Sequence, residues 1–299
     1  MTAAPRLTFA IPFLRGLPYL REVLASVRAQ QRDDWRCVVL DEGEERGVGE
    51  LVASLADARF EHRTNERRLG IVGNWNRGLD SAATELVTLL HADDRLLPDY
   101  LDVITALADA RPRAVAVACD AAIVDEAGRE RFSLADAVKR RLLPPAEPWV
   151  LAGEPGLRAL VRADFVMCPT VAWRLPVLGA RRFAEGWKQV QDLELLTRLL
   201  LDGEEIAGTR RRAYAYRRHA ESATARQTED LSRFEEEVAV LDGIAARARE
   251  RGYHGAARVA EAKTVVRLHV AVRALQDAAA LRGRPALRKL RFLLSGMSR

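Results

Sequence analysis

The stretch Leu86-Val87-Thr88-Leu89-Leu90-His91-Ala92-Asp93-Asp94-Arg95-Leu96-Leu97-Pro98 decides the fold. Five residues of buried-strand character run into two adjacent carboxylates, then into a short turn and a proline-led helix start. In an open α/β sheet, ligands bind in the crevice beyond the carboxyl ends of the strands. Acids delivered to that edge are hard oxygen ligands, suited to Mg²⁺ or Mn²⁺ carrying phosphate groups. The same two residues also suit a plain helix cap, because Asp is common at such turns. The surrounding chain has to discriminate between the two.

Upstream, residues 7–12 form a short apolar run ended by Pro12, and residues 19–31 carry Tyr19, Leu20, Val23, Leu24 and Val27 at helical spacing. Residues 35–41 make a second strand that again finishes in an acid, Asp41, with Glu42 and Gly43 directly behind it. Strand, helix, strand in so short a span is a βαβ unit and implies a right-handed parallel crossover. The pattern predicts a short helix at 51–55, a third strand at 58–63, and a glycine-led loop and helix over 70–83 that feeds the opening stretch. Downstream it predicts a helix at 98–109, a strand at 114–119 with a hairpin partner at 121–124, and a loop with some helix over 133–153. A helix at 157–161, a buried extended segment at 164–174, a helix at 191–202 and short strands at 205–208 and 213–217 follow. From about 228 the pattern is helical only. Phe234, Val238, Leu241 and Ala245 form one stripe, Val265, Leu268, Val272, Leu275 and Ala279 another, with Gly252 and Gly255 between them. The reading is therefore an α/β domain over 1–225 and a C-terminal helical region over 226–299.

At 299 residues, 48% hydrophobic and 30% charged, the chain has the make-up of a globular protein with a full core. No apolar run reaches the ~18–20 residues of a membrane-spanning helix. The first residues lack the pattern of a signal peptide. Cys37, Cys119 and Cys168 are odd in number and far apart, which fits reduced structural thiols in a cytoplasmic protein. The net charge of +5 suits phosphates, acidic lipid surfaces or anionic substrates. Nothing in the pattern points to nucleic acid. No Walker loop or dinucleotide fingerprint is present, which argues against a P-loop enzyme or a dehydrogenase.

Several ordered motifs carry a family resemblance. They are Phe9-Ala10-Ile11-Pro12-Phe13, the helix from 19 to 30, Val38-Val39-Leu40-Asp41-Glu42-Gly43, the segment 65–70, Gly73-Asn74-Trp75-Asn76-Arg77-Gly78 and His91-Ala92-Asp93-Asp94. Later come Gln191-Asp192 at a helix start and Arg217-Arg218-His219 in a loop. In order and spacing these resemble glycosyltransferase family 2, with its GT-A nucleotide-sugar-binding fold, over about residues 6–224.

The resemblance implies an α/β, Rossmann-like, mostly parallel sheet flanked by helices. It implies an inverting, metal-dependent transfer of a sugar from a UDP- or dTDP-type nucleotide-diphospho-sugar to a hydroxyl on a glycan, a lipid-linked or a protein acceptor, as in polysaccharide biosynthesis. Asp94 and His219 are expected on Mn²⁺ or Mg²⁺. Pro12, Asp41, Glu42, Asn74, Arg77, Asp93, Arg217 and Arg218 are expected around the donor. Asp192 is expected as general base, since an acceptor hydroxyl must lose its proton as it attacks the anomeric carbon.

Three positions depart from the family pattern: Glu42 replaces an Asp, Gln191 a Glu, and His91 the first Asp of the Asp-X-Asp motif. These departures keep two rival readings in view, a catalytically impaired sugar-nucleotide or glycan-binding protein and a nucleotidyltransferase. The tail from 278 to 299 carries Arg282, Arg284, Arg288, Lys289, Arg291 and Arg299, no acid, and Leu287, Leu290 and Leu294 on one helical face. Such a helix suits either a peripheral contact with the inner face of a membrane or packing on the catalytic domain or a second subunit, as in a homodimer.

Overall fold

The computed structural model describes residues 4–218 and 231–295. In chain order the first half comprises β1 Leu7–Phe13, α1 Leu17–Arg28, β2 Trp35–Asp41, α2 Val48–Ala53, β3 Phe60–Thr64, α3 Gly70–Ser81, β4 Leu86–Leu89, β5 Arg95–Leu96, α4 Tyr100–Ala110 and β6 Ala114–Val124. There follow α5 Leu134–Arg141, β7 Trp149–Leu151, α6 Gly153–Ala163, β8 Val171–Arg174, α7 Leu175–Leu178, α8 Gln191–Leu201 and β9 Glu205–Arg217. The C-terminal helices are α9 Ser232–Glu250, α10 His254–Ala262, α11 Thr264–Ala279 and α12 Gly283–Leu294.

Nine strands form one sheet in the order β3-β2-β1-β4-β8-β6-β9-β5, with β7 also on β9. β3, β2, β1 and β4 are mutually parallel, and β8 joins them antiparallel to the β6–β9 pair. β1 and β4 are almost wholly buried, as parallel strands covered on both faces must be. The chain leaves β1 toward β2 on one side and returns to β4 on the other. The crevice at that switch collects the loops after β1, β2 and β4.

Helix α3 lies unusually close over this crevice. A Cβ on Gly78 would stand 2.8 Å from Leu89 Cδ2 and 3.1 Å from Ala10 Cβ, so glycine is what lets the helix sit on the sheet. One apolar cluster covers the face holding Leu7, Phe9, Ile11 and Phe13. The other joins Ala10, Val38 and Leu40 to α6, α8 and the C-terminal helices in a single core.

The expected hairpin at 114–124 is one continuous strand parallel to β9. Register shifts around Asp120 absorb the polar residue that looked like a break, and its carboxylate pairs with Arg140 Nε at 2.7 Å. The two short strands expected at 205–217 are likewise one strand. Its polar middle is exposed, where Arg211 and Arg212 pair with Asp99 and Glu130. The weakly patterned 133–153 segment holds α5 and β7. The C-terminal region has four helices, and the Phe234 stripe is buried as expected. The second stripe is not: α11 turns Val266, Val270 and Ala274 to the core and leaves Val265, Leu268, Val272 and Leu275 outside. Among the described residues no helix is long and apolar enough to cross a membrane.

Candidate active site

The turn after β4 is built around Asp94, which is 1% exposed. The Arg217 backbone N–H donates to its Oδ1 at 2.7 Å and the Tyr214 hydroxyl to its Oδ2 at 2.9 Å. Burial, then the neighbouring charge of Asp93, pushes this carboxyl well above the usual range, while its two donors and the Arg217 charge pull it back. Asp93 is the half-buried member of the pair. His91 stacks on Trp75, ring centroids 5.6 Å apart, with Nδ1 3.7 Å from Asp94 Oδ2. Burial lowers the imidazole's pKa, which keeps it neutral, and Nε2 is buried without a hydrogen-bond partner among the described residues. One nitrogen or oxygen from each of His91, Asp93 and Asp94 lies within 4.8 Å of the others. An imidazole with two carboxylates in that space fits a Mn²⁺- or Mg²⁺-sized cation.

The expected phosphate contact by Arg217 is corrected. Its side chain is 1% exposed and each guanidinium nitrogen donates to the protein: Nε to the Asp93 carbonyl at 2.7 Å, Nη1 to the Glu126 carbonyl, and Nη2 to Glu22 Oε2 at 2.5 Å, over the ring of Tyr19. Arg217 shapes the acidic turn from behind. Arg218 is partly exposed, with Nη1 3.2 Å from Ser133 Oγ and its guanidinium beside the Tyr216 ring. His219 lies outside the described residues.

At the end of β2, Asp41 Oδ1 accepts from Gly43 N–H at 2.8 Å and Oδ2 lies 3.0 Å from His62 Nε2. Asp41 and His62 line a groove of about 580 Å³ with Glu45, Arg46, Gly47 and Gly49. Glu42 Oε2 accepts from Leu69 N–H at 2.8 Å, whereas its Oε1 is buried and has no partner among the described residues. A buried acceptor left unmatched is costly, so this oxygen is suited to a ligand's hydroxyl. Beneath them Asn74 Nδ2 donates to the Leu40 carbonyl at 2.9 Å, Asn65 Nδ2 donates to Asn74 Oδ1 at 3.2 Å, and Arg77 donates to Asn65 Oδ1. Asn74 is 2% exposed, so it braces the end of β2 from below. Pro12 pairs in register with Leu40, next to these residues.

Asp192 sits in the first turn of α8, where its Oδ1 accepts from Leu193 N–H at 2.9 Å. Burial first and the charge of Asp164 second push its carboxyl up to about 7. Lys139, whose Nζ lies 3.8 Å from Asp164 Oδ2, counters both. Burial, then the charge of Asp94, raises the Tyr216 hydroxyl; Arg218 opposes the rise, and Asp93 and Asp192 add to it. Gln191 beside it is buried, with Oε1 unpartnered among the described residues. The loop entering α8 is tied to α9 through Glu236, whose carboxylate accepts from Lys188 N–H at 3.0 Å and Gln189 N–H at 2.9 Å.

Several of these residues escape a reading of the sequence. Glu22 lies in the motif-bearing helix from 19 to 30 and Tyr214 three residues before Arg217, whereas His62, Asp164 and Glu236 carry no motif of their own.

Residues 8–168, more than half of the chain, match the family described as Glycosyl transferase family 2. The chain belongs to that family.

It is 36% identical over 101 residues to the succinoglycan biosynthesis protein ExoW of Rhizobium meliloti, a match covering 32% of each chain. It is 30% identical over 103 residues to the GalNAc(5)-diNAcBac-PP-undecaprenol beta-1,3-glucosyltransferase of Campylobacter jejuni, covering 33% of each. The match thus spans about a third of the length of these relatives. Among solved structures, S. aureus TarS 1-349 superposes with a TM-score of 0.64 at 15% identity, over 87% of this chain and 73% of that one. The mannosyltransferase PcManGT from Pyrobaculum calidifontis, solved with GDP-Man and Mn²⁺, gives 0.56 at 16% identity over 99% and 86%. At such identities the likeness speaks for the fold: GT-A, with a mostly parallel sheet, flanking helices and a C-terminal helical extension.

Proposed function

We propose that this family member transfers a sugar from a nucleoside-diphosphate donor of the UDP or dTDP type to an acceptor hydroxyl, in one inverting displacement. What supports the reading is the carboxyl of Asp192 at the start of α8, which burial and then the charge of Asp164 push up to about 7. A general base works best with a pKa near the operating pH. As the acceptor oxygen bonds to the anomeric carbon, the bond from that carbon to the diphosphate breaks and the acceptor proton passes to Asp192.

Asp93 and His91 would hold Mn²⁺ or Mg²⁺, with Asp94 behind them. This reverses the expected division of the acid pair, because both Asp94 oxygens already accept from the protein. A bound divalent cation supplies charge neutralisation for the departing diphosphate. Glu42 Oε1 would take a ribose hydroxyl, Asp41 the base, and Arg218 a phosphate. TarS has been solved with UDP-GlcNAc, which favours a uridine donor here. The name of the C. jejuni relative refers to an undecaprenol diphosphate, which favours a lipid-linked glycan acceptor.

Incubation with a panel of UDP- and dTDP-sugars and Mn²⁺, without acceptor, tests the reading. Slow release of nucleoside diphosphate and of free sugar with inverted anomeric configuration, followed by proton NMR, is expected. Retained configuration sinks the single displacement. Release of inorganic pyrophosphate would mean nucleotidyl transfer.

A further inference from the structure

Most of the exposed large apolar side chains lie on the last two helices and the turn between them. Val265, Leu268, Val272 and Leu275 on α11 are between 42% and 70% exposed, and Leu287, Leu290 and Leu294 on α12 between 47% and 85%. The core contact of α11 is made by the opposite face, through Val266, Val270 and Ala274, so the outer stripe is surplus to the fold. Between the helices Leu281 is 93% exposed and holds a left-handed backbone with φ 58°. A bulky side chain in that region is strained, and exposing it to water adds a second cost.

The charge around these leucines has one sign. Arg267, Arg282, Arg284, Arg288 and Arg291 are exposed. From 263 to 295 the only acid is Asp277, which is buried between Lys289 Nζ at 2.6 Å and Arg282 Nη2 at 3.0 Å. A second copy of this face would set arginine against arginine, whereas anionic headgroups complement it. We propose that α11 and α12 dock on an anionic phospholipid surface, with Leu281 entering the acyl boundary and the arginines meeting lipid phosphates.

Flotation of the full chain with vesicles tests this without any donor sugar, so its outcome is separate from that of the transfer reading. Binding is expected to vesicles of phosphatidylcholine with phosphatidylglycerol, not to phosphatidylcholine alone, and to weaken with salt. Leu268→Glu with Leu281→Glu should lower binding about tenfold or more. Arg284→Ala with Arg291→Ala should lower it on the order of tenfold. Thermal melts should be unchanged in both, since all four side chains are exposed. Absence of flotation, equal flotation on both vesicle types, or leucine variants that float like the parent overturn the proposal. So does a dimer in sedimentation velocity, without vesicle binding, that the leucine changes break; that result assigns the face to a second copy.

Discussion

Asp94 and Asp192 are both carboxyls raised by burial next to a second Asp, yet they are surrounded in opposite ways. Asp94 is fully enclosed and receives a backbone N–H and a tyrosine hydroxyl, with a buried arginine behind it. Asp192 is partly exposed, accepts backbone N–H groups of its own turn, and has Asp164 as its principal charged neighbour. The first arrangement fixes a turn in place. The second leaves a carboxylate accessible and poised to exchange a proton. What differs between the two is the set of protein donors that each carboxylate accepts.

The contrast breaks most visibly at Asp192. Asp192→Asn should lower sugar transfer by roughly 10²–10⁴-fold, the range for a lost general base, with donor affinity retained in a thermal-shift titration. Its stability should move the other way. The folded chain keeps this proton between 3.8 and about 7, where the unfolded chain has released it, so stability falls as pH rises across that window. Asn removes the loss, and melts at pH 8 should show the variant no less stable than its parent. A variant with full transfer would end the base assignment.

The acidic turn should respond in two distinct ways. Asp93→Asn is expected to cost on the order of 10²–10³-fold in transfer and to abolish stimulation by Mn²⁺, while the fold is unaffected. Persistent metal stimulation would return the ligand role to Asp94. Arg217→Met should instead unfold more easily, by roughly 1–3 kcal/mol, because a buried guanidinium that ties the Asp93 and Glu126 carbonyls together is lost. Urea melts read that loss, and an unchanged midpoint would show that the guanidinium does not hold the turn.

Much of this was legible in the sequence, for physical reasons that also mark the limits. Parallel strands buried on both faces give continuous apolar runs, so β1, β2 and β4 announce themselves, and acids at their ends read as a ligand crevice. Arg217 was misread because its meaning comes from Glu22, 195 residues away, and no local pattern carries that pairing. The strands at 114–124 and 205–217 were each divided at polar residues whose partners, Arg140 and the acids Asp99 and Glu130, come from elsewhere in the chain. The α11 stripe failed differently. Val265 and Val266 are both apolar, so the periodicity supports two faces, and only packing chooses the second.

The subtlest test asks how far Asp164 sets the chemistry at Asp192. Asp164 caps α6 with a left-handed backbone at φ 42°, a conformation that Asp tolerates, and its carboxylate lies 3.8 Å from Lys139 Nζ. Its charge is the second cause of the raised pKa, after burial, and Lys139 opposes it. The parent enzyme should therefore lose kcat/KM as pH drops through about 7, where Asp192 takes up its proton. In Asp164→Asn the like charge is gone while the buried site and Lys139 remain, so the acid limb should move to lower pH. Above the limb the rate should change little, because the base is already ionised there. An unmoved limb would assign the raised pKa to burial alone. A limb moved to higher pH would mean that Asp164 supports the carboxylate of Asp192 instead of repelling it.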